Sequence, residues 1–310
     1  MRLRASAPTR LDFGGGWTDV PPFPEERGGF VCNLAIERRA VATLHDAPAS
    51  APNLPLVDAA LRAHDLAHLT GDVVSDFPVG AGLGGSSAAG VALALAAAAW
   101  RGDRPTPDAL AETSRRIEVE QLGIAGGRQD HYAAAYGGAL ALEFADTVRV
   151  TPLPLSADTI TALETRCLVF YTGESRLSGD TIRAVLDGYA HREPGIVLAL
   201  DRMAALARLM ATALVTDDLD ALGALVGEHW QYQRSLHPAI TTPRIDALIS
   251  ATAAEGALGA KPLGASGGGC VLVIAPADRV ADVHRAGAAF GEPLPVHVAL
   301  EGARLDDADG

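Results

Sequence analysis

The sequence predicts an α+β protein of two lobes. Strand-like stretches mostly precede and flank helical ones, and no internal repeat is present. The chain changes texture near Pro152–Asp158, where proline and polar residues cluster, which divides it into 1–155 and 156–310. Its 310 residues, 48% of them hydrophobic, are enough for two cores at about 150 residues per domain.

Residues 3–13 alternate loosely and predict a strand that ends in the turn Gly14-Gly15-Gly16. Further strands are expected at 29–36 and 39–45. Pro48 and Pro52 break the chain ahead of an apolar helix at 55–68. A strand at 71–77 runs into FPVGAGLGGSS, a glycine-rich loop, and then into the Ala/Leu-rich helix 86–100. Thr106 ahead of Pro107 marks the start of a helix at 107–121, since a threonine hydroxyl caps and proline suits the first turn. Gly126-Gly127 opens a loop, and 138–144 reads as a short strand.

In the second half a strand at 166–171 leads into GESRLSGD. Helices are expected at 178–190, 195–214, 217–234 and 242–254. A glycine loop at 264–269, a strand at 270–275, a helix at 277–288 and a strand at 294–299 complete the chain.

With 25 basic against 38 acidic residues the net charge is −13, which argues against nucleic acid or an anionic membrane as a partner. An anionic substrate would then need locally placed cations, a metal or backbone N–H groups. Of the basic residues 24 are arginine and one, Lys261, is lysine, as a GC-rich coding sequence would give. The cysteines Cys32, Cys167 and Cys270 are few, odd in number and far apart, which predicts neither disulfides nor a Cys-x-x-Cys metal site. The opening MRLRASAPTRLDF lacks a signal-type apolar core, and the longest apolar run, Ala88–Trp100, is 13 residues. A soluble cytoplasmic protein is expected.

The strongest chemical signal is Pro78-Val79-Gly80-Ala81-Gly82-Leu83-Gly84-Gly85-Ser86-Ser87 directly before a helix. Glycines let backbone N–H groups approach a ligand, and a helix start offers unpaired donors and the positive end of its dipole, so the segment suits a phosphate chain. The pattern G80-x-G82-x-x-G85 also matches a dinucleotide fingerprint, but a second helix follows where that fold needs a strand ending in an acid. No lysine completes a Walker loop, and a plain glycine turn before a buried helix is the bland alternative. Glu118 and Asp130 could supply a magnesium ligand and a proton acceptor, although taken alone Glu118 reads better as a solvated helix face and Asp130 as an N-cap. Arg10, with the following turn that bears Thr18 and Asp19, places a cation beside hydroxyl-binding groups. Gly264–Gly269 is either a tight turn or a nest for anionic oxygens. Trp17 could stack on a ligand or fill a core.

Taken together, APTRLDFGGGWTD at 7–19, PVGAGLGGSSAAG at 78–90 and GAKPLGASGGGC at 259–270 resemble the GHMP kinases, the superfamily of galactokinase, homoserine kinase and mevalonate kinase. Within it, FGGGWTDVPPF, GGRQDHYAAAYGG, YTGESRLSGDTI and HPAITTPRIDALI resemble D-glycero-D-manno-heptose 7-phosphate kinase and the kinase part of fucokinase. The resemblance implies a ribosomal-protein-S5-like N-terminal domain joined to a ferredoxin-like C-terminal domain. It implies an ATP- and Mg²⁺-dependent sugar kinase acting at the anomeric hydroxyl of a heptose, a heptose 7-phosphate or a fucose-like sugar, and a possible homodimer.

By the same resemblance, Asp130 is the catalytic base and Arg10 lies near the acceptor hydroxyl and the transferring phosphoryl group. Gly80, Gly82, Leu83, Gly84, Gly85, Ser86 and Ser87 hold the ATP phosphates, and Ser86 with Glu118 holds the metal. Gly16, Thr18, Asp19, Arg176, Gly267 and Gly268 face the sugar. Two positions depart from the pattern: Ser266 replaces a glycine of the third motif, and Arg128 stands where fucokinase-like relatives carry tryptophan. An acceptor with a distal phosphate would call on Arg128, Arg176, Arg183 or Lys261. The other-class alternative is a silent sugar- and nucleotide-binding sensor, which the presence of Ser86, Glu118 and Asp130 disfavours.

Overall fold

A computed structural model describes residues 2–46, 53–124, 126–174 and 179–306. The proline break at 48–52, Arg176 in the GESRLSGD loop and the last four residues lie outside the described residues. In chain order the first half runs β1 (Arg2–Gly14), α1 (Phe23–Arg27), β2 (Gly29–His45), α2 (Pro55–Ala63), β3 (Thr70–Ser75) and α3 (Gly85–Trp100). It continues with α4 (Pro107–Arg116), a π turn at Ile117–Gln121, α5 (Gln129–Tyr136), β4 (Ala139–Phe144) and β5 (Val148–Leu153). The second half runs α6 (Ala157–Arg166), β6 (Cys167–Tyr171), α7 (Gly179–Ala190), α8 (Pro194–Val215), α9 (Leu219–Ser235), a 3₁₀ turn at Pro238–Ile240 and α10 (Pro243–Ala254). It ends with β7 (Gly259–Pro262), β8 (Cys270–Ile274), α11 (Val280–Ala288), β9 (Glu292–Leu294) and β10 (Arg304–Asp306).

Two antiparallel sheets organise these elements. The first has the order β10-β1-β2-β4-β5, with β3 added to β2, and the second has the order β7-β8-β6-β9. The end of the chain therefore returns to the first sheet, through the pairing of β10 with β1 and a bridge between Val298 and Ile36.

The strands expected at 29–36 and 39–45 are one strand with a bulge. Thr9 pairs with Ile36 and Pro8 with Arg39, so Glu37 and Arg38 are extra on β2. A bulge bends and twists the paired strands and re-aims the side chains beyond it. Ala5 and Ala7 therefore pack with α3, while Leu11 and Phe13, further along the same strand, pack with Ala207 and Met210 of α8. Arg10 and Asp12 alternate with Leu11 and Phe13 and so point to the other face of the sheet from them. Both faces of β1 are covered, which explains its loose alternation.

Helix α3 is alanine-rich and buried on nearly all sides because it is sandwiched between β1, β2, α4 and α5. Thr106 caps α4 as expected, accepting from Ala109 N at 3.3 Å. The long helix expected at 107–121 instead ends at Arg116 and continues as the π turn, which carries Glu118. Helix α2 stops at Ala63 rather than 68, with Asp65 just beyond in the left-handed region at φ 57°. The stretch expected as a strand at 294–299 is paired only over Glu292–Leu294 and at Val298. All three cysteines are free and buried, and burial pushes the Cys167 and Cys270 thiols up to about 12. Among the described residues no helix is long and apolar enough to cross a membrane.

Candidate active site

A cavity of about 600 Å³ opens between the glycine-rich loop, the turn after β1 and the residues around Gly264. Its two ends differ in chemistry. Leu54, Leu56, Val57, Val73, Phe77 and Val79 line one end, and Arg10, Asp12, Asp19, Gln129 and Asp130 line the other. The glycine-rich loop runs between them.

The loop is fastened by its carbonyls. Leu83 O accepts from Arg10 N at 3.1 Å, Ala81 O from Cys270 N at 2.8 Å, and Gly82 O from Arg10 Nη1 at 2.6 Å. Gly84, at φ 74° and ψ 27°, is the N-cap of α3, and no side chain caps or acidifies the first turn. The N–H groups of that turn are thus left for a ligand, at the positive end of a 16-residue helix. Gly82 is also required by space, since a Cβ there would meet Leu263 O at 2.6 Å.

Asp130, in the first turn of α5, faces this loop. Its Oδ1 accepts from Arg10 Nε at 2.7 Å. Arg10 is only 3% exposed, and its Nη2 has no partner among the described residues. Burial disfavours the Arg10 charge, but Asp130, Asp12 and Asp19 outweigh it and hold the guanidinium above its ordinary range.

On the loop side, the Ser86 hydroxyl donates to Glu118 Oε1 at 2.5 Å and Ser87 donates to Oε2 at 3.2 Å. The π turn at 117–121 brings Glu118 inward, and His131 Nε2 stands 3.0 Å from its Oε2. Burial pushes the Glu118 carboxyl up, but His131 and the two serines outweigh it and hold it below its usual range. One hydroxyl and one ionised carboxylate beside an open helix start make a hard-oxygen set. It suits Mg²⁺, which keeps water and phosphate oxygens in its other positions. The residues present therefore fit that ion.

The turn after β1 supplies Asp19. Its Oδ2 accepts from Gln129 N at 2.9 Å, and it is 1% exposed. Burial raises its carboxyl to about 6, with Asp130 and Asp12 adding to the rise and the Gln129 N–H opposing it. Gly16 and Trp17 also line the cavity, and Trp17 takes a left-handed backbone at φ 81°.

The other expected site residues are placed differently. Thr18 is fully buried; its hydroxyl donates to Gly15 O at 2.7 Å and accepts from Phe30 N at 3.1 Å, so it closes the turn rather than lining the cavity. From the third motif, Gly264 and Ala265 line the cavity. Gly267 N instead donates to Ile240 O at 3.0 Å, and Gly268 packs on the Glu174 backbone. Ser266 keeps the left-handed turn at φ 76° without a glycine. Arg128 reaches Glu25 at 3.4 Å, Arg183 pairs with Asp180 on its own helix, and Lys261 is fully buried against Asp12. Among the described residues these do not form a cation cluster in the cavity; Arg176 lies outside them. Sequence reasoning missed Asp12, Gln129 and His131. Asp12 was within reach, being two residues from Arg10 on a strand.

An uncapped helix start under a glycine loop, a hydroxyl–carboxylate pair beside it and an arginine-held aspartate facing it define a class of two-sheet protein that sets a phosphate chain against an acceptor. Comparison with known proteins narrows the class. Residues 55–138 match the GHMP kinases N terminal domain and 210–292 match the GHMP kinases C terminal domain, together more than half of the chain. The protein belongs to the GHMP kinase family and has its fold.

The bifunctional fucokinase/GDP-fucose pyrophosphorylase of Arabidopsis thaliana is 29% identical over 88% of this chain, which spans only 30% of that protein's length. The D-glycero-alpha-D-manno-heptose 7-phosphate kinase of Campylobacter jejuni is 26% identical, over 86% of this chain and 87% of that one. The crystal structure of a D-glycero-D-manno-heptose 1-phosphate kinase from Bacteroides thetaiotaomicron superimposes with a TM-score of 0.80 at 24% identity, over 99% of this chain and all of that one.

Proposed function

We propose that the protein transfers the γ-phosphoryl group of ATP to a sugar hydroxyl, the anomeric one, of a heptose, a heptose phosphate or a fucose-like sugar. The observation that carries the reading is the Arg10–Asp130 pair, which faces the open start of α3 from across one cavity. The sugar class rests on the likeness to the heptose phosphate kinase and the fucokinase.

The geometry supports a division of labour. The apolar end receives the nucleobase, and the N–H groups of the loop and of the first turn of α3 receive the phosphates. Ser86 and Glu118 would hold Mg²⁺, which neutralises phosphate charge when bound. Asp130 Oδ2 orients the acceptor hydroxyl and takes its proton, while Arg10 holds Oδ1 in place at 2.7 Å and offers Nη2 to the transferring group. Phosphoryl transfer passes through a loose transition state, so positioning and charge neutralisation are what the protein has to supply. Gly16 and Asp19 line the acceptor end.

The test is ADP release with ATP and Mg²⁺ over heptoses, heptose 7-phosphates, fucose, galactose and mannose, with NMR of any product. Turnover giving a new anomeric phosphorus coupling is expected. Phosphorylation at another carbon would break the anomeric assignment, and no turnover on any acceptor would sink the kinase reading.

A further inference from the structure

The one lysine of the chain is the most deeply placed cation in it. Every other basic residue is an arginine, 24 of them, yet at position 261 the bias toward arginine is broken. Lys261 lies on β7 of the second sheet and is 0% exposed. Its ammonium donates to Asp12 Oδ2 at 2.9 Å and to Asp12 O at 2.8 Å, both on β1 of the first sheet. The contact joins the two sheets beside the candidate active site. A compact ammonium can satisfy a carboxylate oxygen and a carbonyl from one point, whereas a planar guanidinium needs room for its fork.

Asp12 sits two residues from Arg10 on the same face of β1. It is 3% exposed, and burial alone would push its carboxyl up; Lys261 first, with His229 and Arg10, together outweigh burial and hold it low. Burial pulls the Lys261 ammonium down, and Asp12 opposes that fall. Asp12 is thus a charged carboxylate directly next to the guanidinium that has to stay on Asp130. The groups that face it are Lys261 from β7, Arg10 on its own strand, His229 from α9, Asp19 on the following turn and Cys32 on β2. Burial and Lys261 lower the His229 imidazole to about 3, and its Nε2 accepts from Gly15 N at 2.9 Å. Lys261 is therefore the cation that occupies Asp12.

We infer that Lys261 is a positioning residue for the transfer reaction: by claiming Asp12 it leaves Arg10 committed to Asp130 and to the loop carbonyl of Gly82. This rests on the kinase reading above. Without the ammonium, Asp12 becomes an unpaired buried carboxylate, and Arg10, two residues away on the same face of β1, is the permanently charged group beside it that it can recruit. Arg10 then releases Asp130 Oδ1, Nη2 turns from the phosphoryl position, and turnover falls although no group that touches substrate has been changed.

The test compares wild type, Lys261→Met and the double variant Asp12→Asn/Lys261→Met in the ADP-release assay from pH 5.5 to 9. A side chain misplaced by about 1 Å costs on the order of 10²-fold in turnover. Lys261→Met is expected to lose that much kcat at pH 8 to 9, with the KM for ATP little changed. The deficit should narrow toward pH 5.5, as the unpaired Asp12 takes up a proton and frees Arg10. The double variant should recover at least tenfold over Lys261→Met and show a pH-independent ratio to wild type. A Lys261→Met deficit that is equal at every pH and is not relieved by Asp12→Asn would mean a purely structural contact and overturn the inference. If Lys261→Met does not fold, the double variant alone decides, since a loss of about 10²-fold there would also overturn it. Wild type inactive on every acceptor would instead remove the kinase reading on which the inference stands.

Discussion

Replacing Asp19 with asparagine is expected to make the protein more stable above pH 6 and to leave stability nearly unchanged near pH 4. Asp19 is 1% exposed and is crowded by Asp130 and Asp12, so its carboxyl rises from 3.8 to about 6 on folding. A carboxyl raised in the folded state binds its proton more tightly there than in the unfolded chain. Between about pH 4 and pH 6 the native state therefore holds more protons, and stability falls as pH rises through that window. The two values differ by an amount worth about 3 kcal/mol, all of it present above pH 6 and none below pH 4. An asparagine keeps an oxygen for the Gln129 N–H now bound at 2.9 Å and never ionises.

The assay is urea unfolding of wild type and Asp19→Asn at pH 4, 5, 6, 7 and 8. The stability difference should grow from near zero at pH 4 to about 2–3 kcal/mol at pH 8. Turnover should move the other way, with a higher KM for the acceptor, because a charged buried oxygen is a better hydroxyl acceptor than an amide oxygen. A difference that is the same at every pH would refute the charge argument. A variant less stable than wild type at pH 8 would refute it more directly, by showing that the ionised carboxylate is already compensated in the native protein.

Part of this architecture was legible in the sequence, because local physics and tertiary need agreed there. Thr106-Pro107 announces α4, and the glycine loop leads into α3 as expected, since cap chemistry and left-handed glycines are local properties. The bulge at Glu37-Arg38 was invisible because it depends on which residues of β1 lie opposite, and periodicity shows only that the faces change. The short elements α1, β7, β9 and β10 have too few residues for a period to emerge; β10 exists because β1 offers it an edge. At the site, the family resemblance pointed to Arg10, Asp130, Ser86 and Glu118, which the fold brings to one cavity. Thr18 reads from sequence as a ligand-facing hydroxyl, but the direction of its side chain is fixed by the Gly15 and Phe30 backbone, which only the folded turn reveals. His131 follows Asp130 directly, yet nothing local says that it turns the other way, to Glu118.

Three further perturbations separate the parts of the site. Asp130→Asn should lower turnover by about 10²- to 10⁴-fold while ATP binding, read by calorimetry, persists; near-normal turnover would remove it as base. Glu118→Gln ends the ionised contact with Ser86 and His131, so the Mg²⁺ concentration for half-maximal activity should rise, and an unchanged Mg²⁺ midpoint would free Glu118 of that role. The last comparison uses the two ends of α3. Gly84 and Gly102 both have left-handed backbones, at φ 74° and 84°, so alanine at either costs about 1–2 kcal/mol of backbone strain. They differ in what a new methyl would meet: at Gly102 nothing lies within 4 Å, while at Gly84 it falls 3.0 Å from Asp130 Cγ. Asp130 cannot yield freely, because Arg10 holds its Oδ1 at 2.7 Å. A loss of stability in Gly84→Ala at least as large as that in Gly102→Ala, with turnover reduced tenfold or more in Gly84→Ala alone, would show that the loop and the base are set against each other to within a methyl group. Full turnover in Gly84→Ala would show that Asp130 moves without consequence, and the positioning argument for the whole site would fail with it.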